Sequence, residues 1–319
     1  MAPFRLVPPA VLIVVIVLMT SCAQPIITSG ARSPEAQPSA PLEQLWNEPQ
    51  DLERRNLVWG SADPKQAPPM DVEYQVQKED KGGYSNGFDV VGPDGRAWDI
   101  KIGKEAQTEI VVSRILWALG YHQPTLYYMT GWKLAGEWEG EGEPARFRLQ
   151  SDHESDGEWA WLENPFHGAR AFHGLIAINL LLSNWDFKTS NNRLYSVPSP
   201  AGPARWFVVQ DLGASLGGTA WPIGTRNDIE RFETQHFVAA AGGELQFDYR
   251  GRHRDVFERV TAGDVIWACR LLDRISDRQW TDIFKAAAYP DAVAARYRTH
   301  LAAKIAEGLA LAGESGVQR

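Results

Sequence analysis

Cysteine is nearly missing from this 319-residue chain: Cys22 and Cys269 are the two present, too few for a disulfide framework. Basic charge is not in excess either. Lys and Arg total 32 against 40 Asp and Glu, a net charge of −8, so the broad cationic face of a nucleic-acid binder is lacking. Long apolar runs do not recur, which excludes a multispanning membrane protein. Internal repeats are absent as well, which excludes a solenoid. What remains is ordinary globular usage, 44% apolar and 23% charged, enough for one large domain or two modest ones. Tryptophan is the exception, with 13 residues, and composition alone does not explain it.

The N-terminus reads as an address. Arg5 supplies a positive charge, and Val11 to Leu18 is apolar but too short for a membrane span. Leu18-Met19-Thr20-Ser21-Cys22 then resembles the lipobox of bacterial lipoproteins, with Met19 where Leu is commonest. The resemblance implies a signal peptide over residues 1–21 and lipidation of Cys22. The mature chain would then be tethered in the cell envelope, on the outer membrane or the periplasmic face. An ordinary signal peptide or an uncleaved anchor is the alternative. Cys269 would be left without a partner, as a buried thiol. Residues 22–45 are rich in Pro, Ser, Ala and Gln and read as a flexible linker.

Beyond an ambiguous arm over Leu45 to Pro69, alternation at Val72, Tyr74 and Val76 predicts a strand. Lys81 to Gly87 is a glycine-rich turn. Gly92-Pro93-Asp94-Gly95 predicts a hairpin between Phe88–Val91 and Ala97–Ile102. Lys104 to Leu119 predicts a helix stopped by Gly120. Tyr121 to Leu149 reads as two or three strands around a solvated acidic loop, Glu137 to Glu143. The second half reads as mostly helical. A buried helix is expected over Ala169–Leu182 and a strand pair at Arg193–Val197 and Ala204–Val209. Further helices are expected at Ile229–Ala241, Asp264–Ile275, Asp277–Ala288 (N-capped by Ser276) and Asp291–Leu311. The fold class is therefore α+β. A small antiparallel sheet with one helix, in residues 46–150, precedes a larger helical part, residues 151–319, with a cleft between them.

Two segments carry chemistry. Asn184-Trp185-Asp186-Phe187-Lys188-Thr189-Ser190-Asn191-Asn192 follows the buried helix, and Trp206 to Gly213 is an apolar strand ending in Asp211-Leu212-Gly213. Taken singly, each also reads as an Asx-rich or strand-ending turn. Together they resemble the protein-kinase-like superfamily. Asp186-x-Lys188-x-x-Asn191 has the spacing of the catalytic loop, and Asp211-Leu212-Gly213 resembles its metal-binding D-F-G. Upstream and in the right order stand Lys101, in a strand, and Glu109, in the helix that follows. Glu105, one turn earlier, is a second possible partner. The spacing from Glu109 to Leu119-Gly120 resembles HipA-type bacterial kinases and their lipid-kinase relatives.

The resemblance implies a bilobal kinase-like fold that binds ATP and Mg²⁺. Asp186 would receive or orient the acceptor's proton and Lys188 would stabilise charge on the phosphoryl group. Lys101 and Glu109 would hold phosphate, Asn191 and Asp211 would hold Mg²⁺, and Asn192 would substitute if the register differs by one. Gly82, Gly83 and Gly87 would cover the phosphates with backbone N–H groups. The function implied is an exported, lipid-anchored phosphotransferase acting on a protein or small-molecule acceptor; the alternative is a pseudokinase-like binding module. The sequence departs from the pattern at Asn184 and Trp185, which replace the His and Arg of H-R-D. It departs again at Asp99, where many kinases place a small apolar residue against adenine. His167 and His173 lack the spacing of a metal pair. A third reading makes Trp132, Trp138, Trp159 and Trp161 a glycan-stacking surface.

Overall fold

Ile26-Ile27-Thr28 is a β-branched run inside the Pro- and Ser-rich stretch, and it forms a strand, β1 (Ile26–Thr28). A computed structural model describes residues 26–28, 38–136, 138, 142–150, 154–198, 202, 204–220 and 224–314. In it, β1 pairs antiparallel with Glu244–Phe247, far along the chain. Part of the stretch expected to be a free linker is thus attached to the fold. Leu45, after a 3-10 turn at Leu42–Gln44, is buried. Cys22 and the rest of the signal-like segment lie outside the described residues.

Apolar residues at every second position then build the main sheet. Its strands are β2 (Glu73–Asp80), β3 (Gly87–Val91), β4 (Ala97–Ile102), β5 (Leu126–Met129), β6 (Lys133–Leu134) and β7 (Ala145–Leu149), in the order β5-β7-β4-β3-β2-β6. All neighbours are antiparallel except β2 and β6. Tyr74, Phe88, Val90, Trp98, Ile100 and Phe147 point to one side and form their own buried cluster. The alternate positions, among them Asp99, Lys101, Arg146 and Arg148, therefore share the other side. Helix α1 (Lys104–Ala118) is buried on nearly every face, packing against β4, β5 and β7 and against a helix from the C-terminal half.

That half carries α2 (Arg170–Leu181), α3 (Ile229–Phe232), α4 (Ala262–Asp273), α5 (Asp277–Ala286) and α6 (Asp291–Glu314). A small sheet joins β8 (Glu154–Gly157), which precedes α2, to β9 (Asn192–Val197) and β10 (Ala204–Val209), which follow it. Ser276 and Gln279 close a capping box on α5, and Thr261 and Asp264 close one on α4.

One expected helix, Ile229–Ala241, is corrected. It stops at Phe232, and β11 (Val238–Ala241) and β12 (Glu244–Phe247) form a hairpin. Gly242 and Gly243, both at positive φ, make its turn, and β1 supplies a second partner for β12. Tertiary pairing overrides the helix propensity of the alanines. The glycan surface is also corrected. Trp132, Trp159 and Trp161 are buried, and Trp138 packs edge-on against Phe88. No described helix is long and apolar enough to cross a membrane.

Candidate active site

Ile100 and Ile102 bury on the apolar side of β4, so Lys101 emerges on the other. The chain then turns into α1, and Glu105 and Glu109, one helical turn apart, face the lysine. Lys101 Nζ lies 3.2 Å from Glu109 Oε2 and 3.7 Å from Glu105 Oε2. The other Glu109 oxygen lies 3.0 Å from Nε of Arg146, the residue directly across from Lys101 on β7. Both Glu109 and Arg146 are almost fully buried.

The opposite wall begins where α2 ends. Ser183, at positive φ, turns the chain, and the Asn184 side chain accepts from the Asp186 N–H at 3.1 Å. Lys188 Nζ donates to Asp186 Oδ2 at 2.8 Å. Asn191 donates its side-chain amide to the Asp186 carbonyl at 2.7 Å, and its own carbonyl accepts from the Asp211 N–H at 3.2 Å. The two aspartates are thereby held in register through one asparagine. Lys101 Nζ closes the arrangement, 2.7 Å from Asp211 Oδ1.

The charges reinforce each other. Burial alone would favour a neutral Lys101 amine, but the Glu109 and Asp211 carboxylates hold it protonated, above its ordinary range. Burial likewise opposes charge on Asp211, and the adjacent Lys101 ammonium overcomes it and keeps the carboxyl below its usual range.

Lys101, Asp186, Asn191 and Asp211 line a cleft of ≈ 340 Å³ that also includes Gly83, Gly87 and Lys188. Three sequence candidates are not part of its lining: Glu109, buried behind Lys101, and Asn192 and Gly82. Asn192 is buried and donates to the Trp159 carbonyl at 2.9 Å, because alternation along β9 sends it away from the cleft. Gly82 is held in a turn, its N–H donating to Asp80 Oδ1 at 2.9 Å. His173 lies 3.3 Å from Asp264 and serves the α4 cap rather than a metal. Among the tryptophans near the candidate segments in sequence, Trp185 is beside the cleft. Trp98 is in the sheet core, Trp117 packs under Arg55 and Trp206 stacks on His122.

Arg226 is the residue that sequence reasoning missed. Its Nε lies 2.7 Å from Glu105 Oε1, and its guanidinium sits 3.7 Å from the Tyr84 ring and 4.6 Å from the Trp185 ring. Ser85 Oγ donates to the other Glu105 oxygen at 2.9 Å. The glycine-rich turn, α1 and the Asp186 loop are therefore joined at one guanidinium. Gly213 permits a second close approach: a Cβ there would stand 2.6 Å from Glu105 Cβ.

The donor set fits a hard cation. Asp211 has its Oδ2 and Asn191 its amide oxygen beyond the bonds named above, and Mg²⁺ takes few protein oxygens together with phosphate and water. Among the described residues no cluster of three or more His, Cys, Asp or Glu forms a resident metal site.

No protein-family profile and no curated protein matches the sequence. Among solved structures, the chain is similar to the Helicobacter pylori proinflammatory kinase CtkA, with a TM-score of 0.50 at 13% identity, covering 77% of this chain and 97% of that one. It is also similar to HipA of the Shewanella oneidensis MR-1 toxin–antitoxin system, solved with HipB and operator DNA, with a TM-score of 0.44 at 12% identity over 91% and 76% of the two chains. The likeness to CtkA shows a protein-kinase-like α+β fold.

Proposed function

We propose that the chain is a kinase-like phosphotransferase that moves the γ-phosphate of ATP to a protein or small-molecule acceptor. The observation that carries this reading is Lys101 poised between Glu109 and Asp211 across a cleft from Asp186. Asp186 would receive the acceptor's proton, and Lys188, at hydrogen-bond distance from it, would face the charge that develops on the phosphoryl oxygens. Lys101 would hold phosphate oxygens, with Glu109 fixing its direction. Gly83 and Gly87 would present backbone N–H groups from the turn above. Mg²⁺ bound with the nucleotide, held by Asn191 and Asp211, would neutralise phosphate charge.

We extend the reading to location: lipidation of Cys22 would tether the chain in the cell envelope. A second reading, a binding module without transfer, draws on one observation. Lys101 contacts the proposed metal carboxylate itself, at 2.7 Å.

Thermal unfolding of the full-length chain in detergent, with and without Mg-ATP, tests the main reading. A ligand of the native state must raise the midpoint. Absence of a shift at millimolar Mg-ATP would remove the nucleotide from the account. Globomycin-sensitive processing, with loss of lipid label in Cys22→Ser, tests the anchor separately.

A further inference from the structure

Beyond Lys101 the cleft continues into a hollow of ≈ 470 Å³, the two sharing Asp99, Arg148, Arg193 and Gln210. In a site that holds a triphosphate at Lys101, this hollow is where the rest of the donor must lie. Two of its ten lining residues, Pro124 and Leu149, are aliphatic. Tyr195 adds one aromatic ring, and the rest of the wall is polar. Asp99 stands two residues before Lys101, hence on the same side of β4, and its carboxylate is held by Arg148 and by the buried Arg146. Those guanidiniums, outweighing the cost of burial, keep Asp99 ionised. Gln210, with its amide oxygen toward Arg148 and its nitrogen toward the Tyr195 hydroxyl, joins the network to β9.

A purine gains affinity in a pocket by burying its two faces against apolar side chains, and it gains selectivity from hydrogen-bonding groups left free to read its edge. This hollow offers little of either. Apart from Pro124, Leu149 and the single ring of Tyr195, its lining is guanidinium, amide and hydroxyl, and the Asp99 oxygens are already taken by two arginines. Stripping water from that network without replacing its bonds costs affinity rather than adding it.

We infer that the donor is selected by its phosphates and not by its base. Resting on the phosphotransferase reading above, this assigns the site a substrate class: nucleoside triphosphates without distinction of base, and inorganic triphosphate beside them. Asp99 and Arg148 are the residues that set this indifference.

The test is calorimetric titration of the full-length chain in detergent with the Mg²⁺ salts of ATP, GTP, CTP, UTP and inorganic triphosphate. The dissociation constants are expected to agree within about fivefold. A preference for ATP beyond that spread, over another nucleotide or over triphosphate, overturns the inference while leaving the phosphotransferase reading intact. If none of the five ligands binds, the reading itself fails and the inference falls with it. In Arg148→Leu, ATP is expected to gain more than about fivefold over triphosphate. An unchanged profile in that variant overturns the role given to the guanidinium.

Discussion

Arg226 Nε lies 2.7 Å from Glu105 Oε1, so the segment that follows Asp211 is tied to the helix carrying Glu109. The same guanidinium packs between the rings of Tyr84, in the glycine-rich turn, and Trp185, next to Asp186. Opening the cleft for a ligand must therefore disturb one ion pair and two ring contacts together. Arg226→Ala should loosen the turn before it affects the core, lowering stability by about 1 kcal/mol. Limited trypsin digestion reads this directly, since Lys81 in that turn is exposed. Cleavage there should accelerate in the variant and be slowed by Mg-ATP in the parent chain.

Lys101→Met removes the cation shared by Glu109 and Asp211. Glu109 retains Arg146, but Asp211 loses the partner that keeps its carboxyl below the ordinary range. The expected result is a stability loss of about 1–3 kcal/mol, the cost of leaving a polar group unpaired, and abolition of the Mg-ATP shift. A variant that kept the full shift would show that Lys101 does not touch the phosphates. Chemical denaturation and the ligand shift measure the two effects separately.

Gly213→Ala places a methyl group against Glu105 on α1, with no room for it. It should cost about 1–3 kcal/mol by overpacking and weaken nucleotide binding by displacing the helix that aligns Lys101. Gly202→Ala, where a Cβ meets nothing but the φ is positive, would separate crowding from backbone strain. It should lower stability without changing binding.

Lys304 lies in α6, fully buried, and donates to Ser183 Oγ at 2.9 Å and to the Leu181 carbonyl at 3.1 Å, under the turn that leads to Asp186. Burial pushes its ammonium from the ordinary 10.5 down to about 7. Between those pH values the unfolded chain binds more protons than the folded one, so this group makes stability rise with pH across that window. Lys304→Met should remove that rise, and its stability relative to the parent chain should be most favourable below about pH 7 and decline toward pH 10. Urea unfolding at several pH values measures it. A difference independent of pH would mean that Lys304 titrates normally.

Much of the cleft was legible in sequence because its residues occur in a fixed order on elements with clear signals. Lys101 lies in an alternating strand after a Pro-Asp-Gly hairpin, Glu109 in the helix that follows, and Asp186, Lys188, Asn191 and Asp211 in two polar turns beside apolar segments. The network around them was not legible. Arg146 reads as an ordinary strand arginine until β7 is known to pair with β4 and places it opposite Lys101. Arg226 follows a segment with no periodic pattern, and its partner Glu105 lies on an element far earlier in the chain. The β11–β12 hairpin was hidden for a related reason. Val238-Ala239-Ala240-Ala241 favours a helix locally, and only the glycine turn and the distant β1 make it a strand. Asn192, the alternative to Asn191 should the register differ by one, faces away from the cleft, since in a strand one residue reverses the face.

Phosphate transfer from γ-labelled ATP by the full-length chain tests the central claim most directly, read as transfer to the chain itself or as release to water. The account predicts Mg²⁺-dependent transfer that falls by about 100-fold or more in Asp186→Asn and in Asp211→Asn, with unfolding midpoints close to that of the parent chain. Transfer that survives both substitutions, or a parent chain that binds Mg-ATP and transfers nothing, would contradict it.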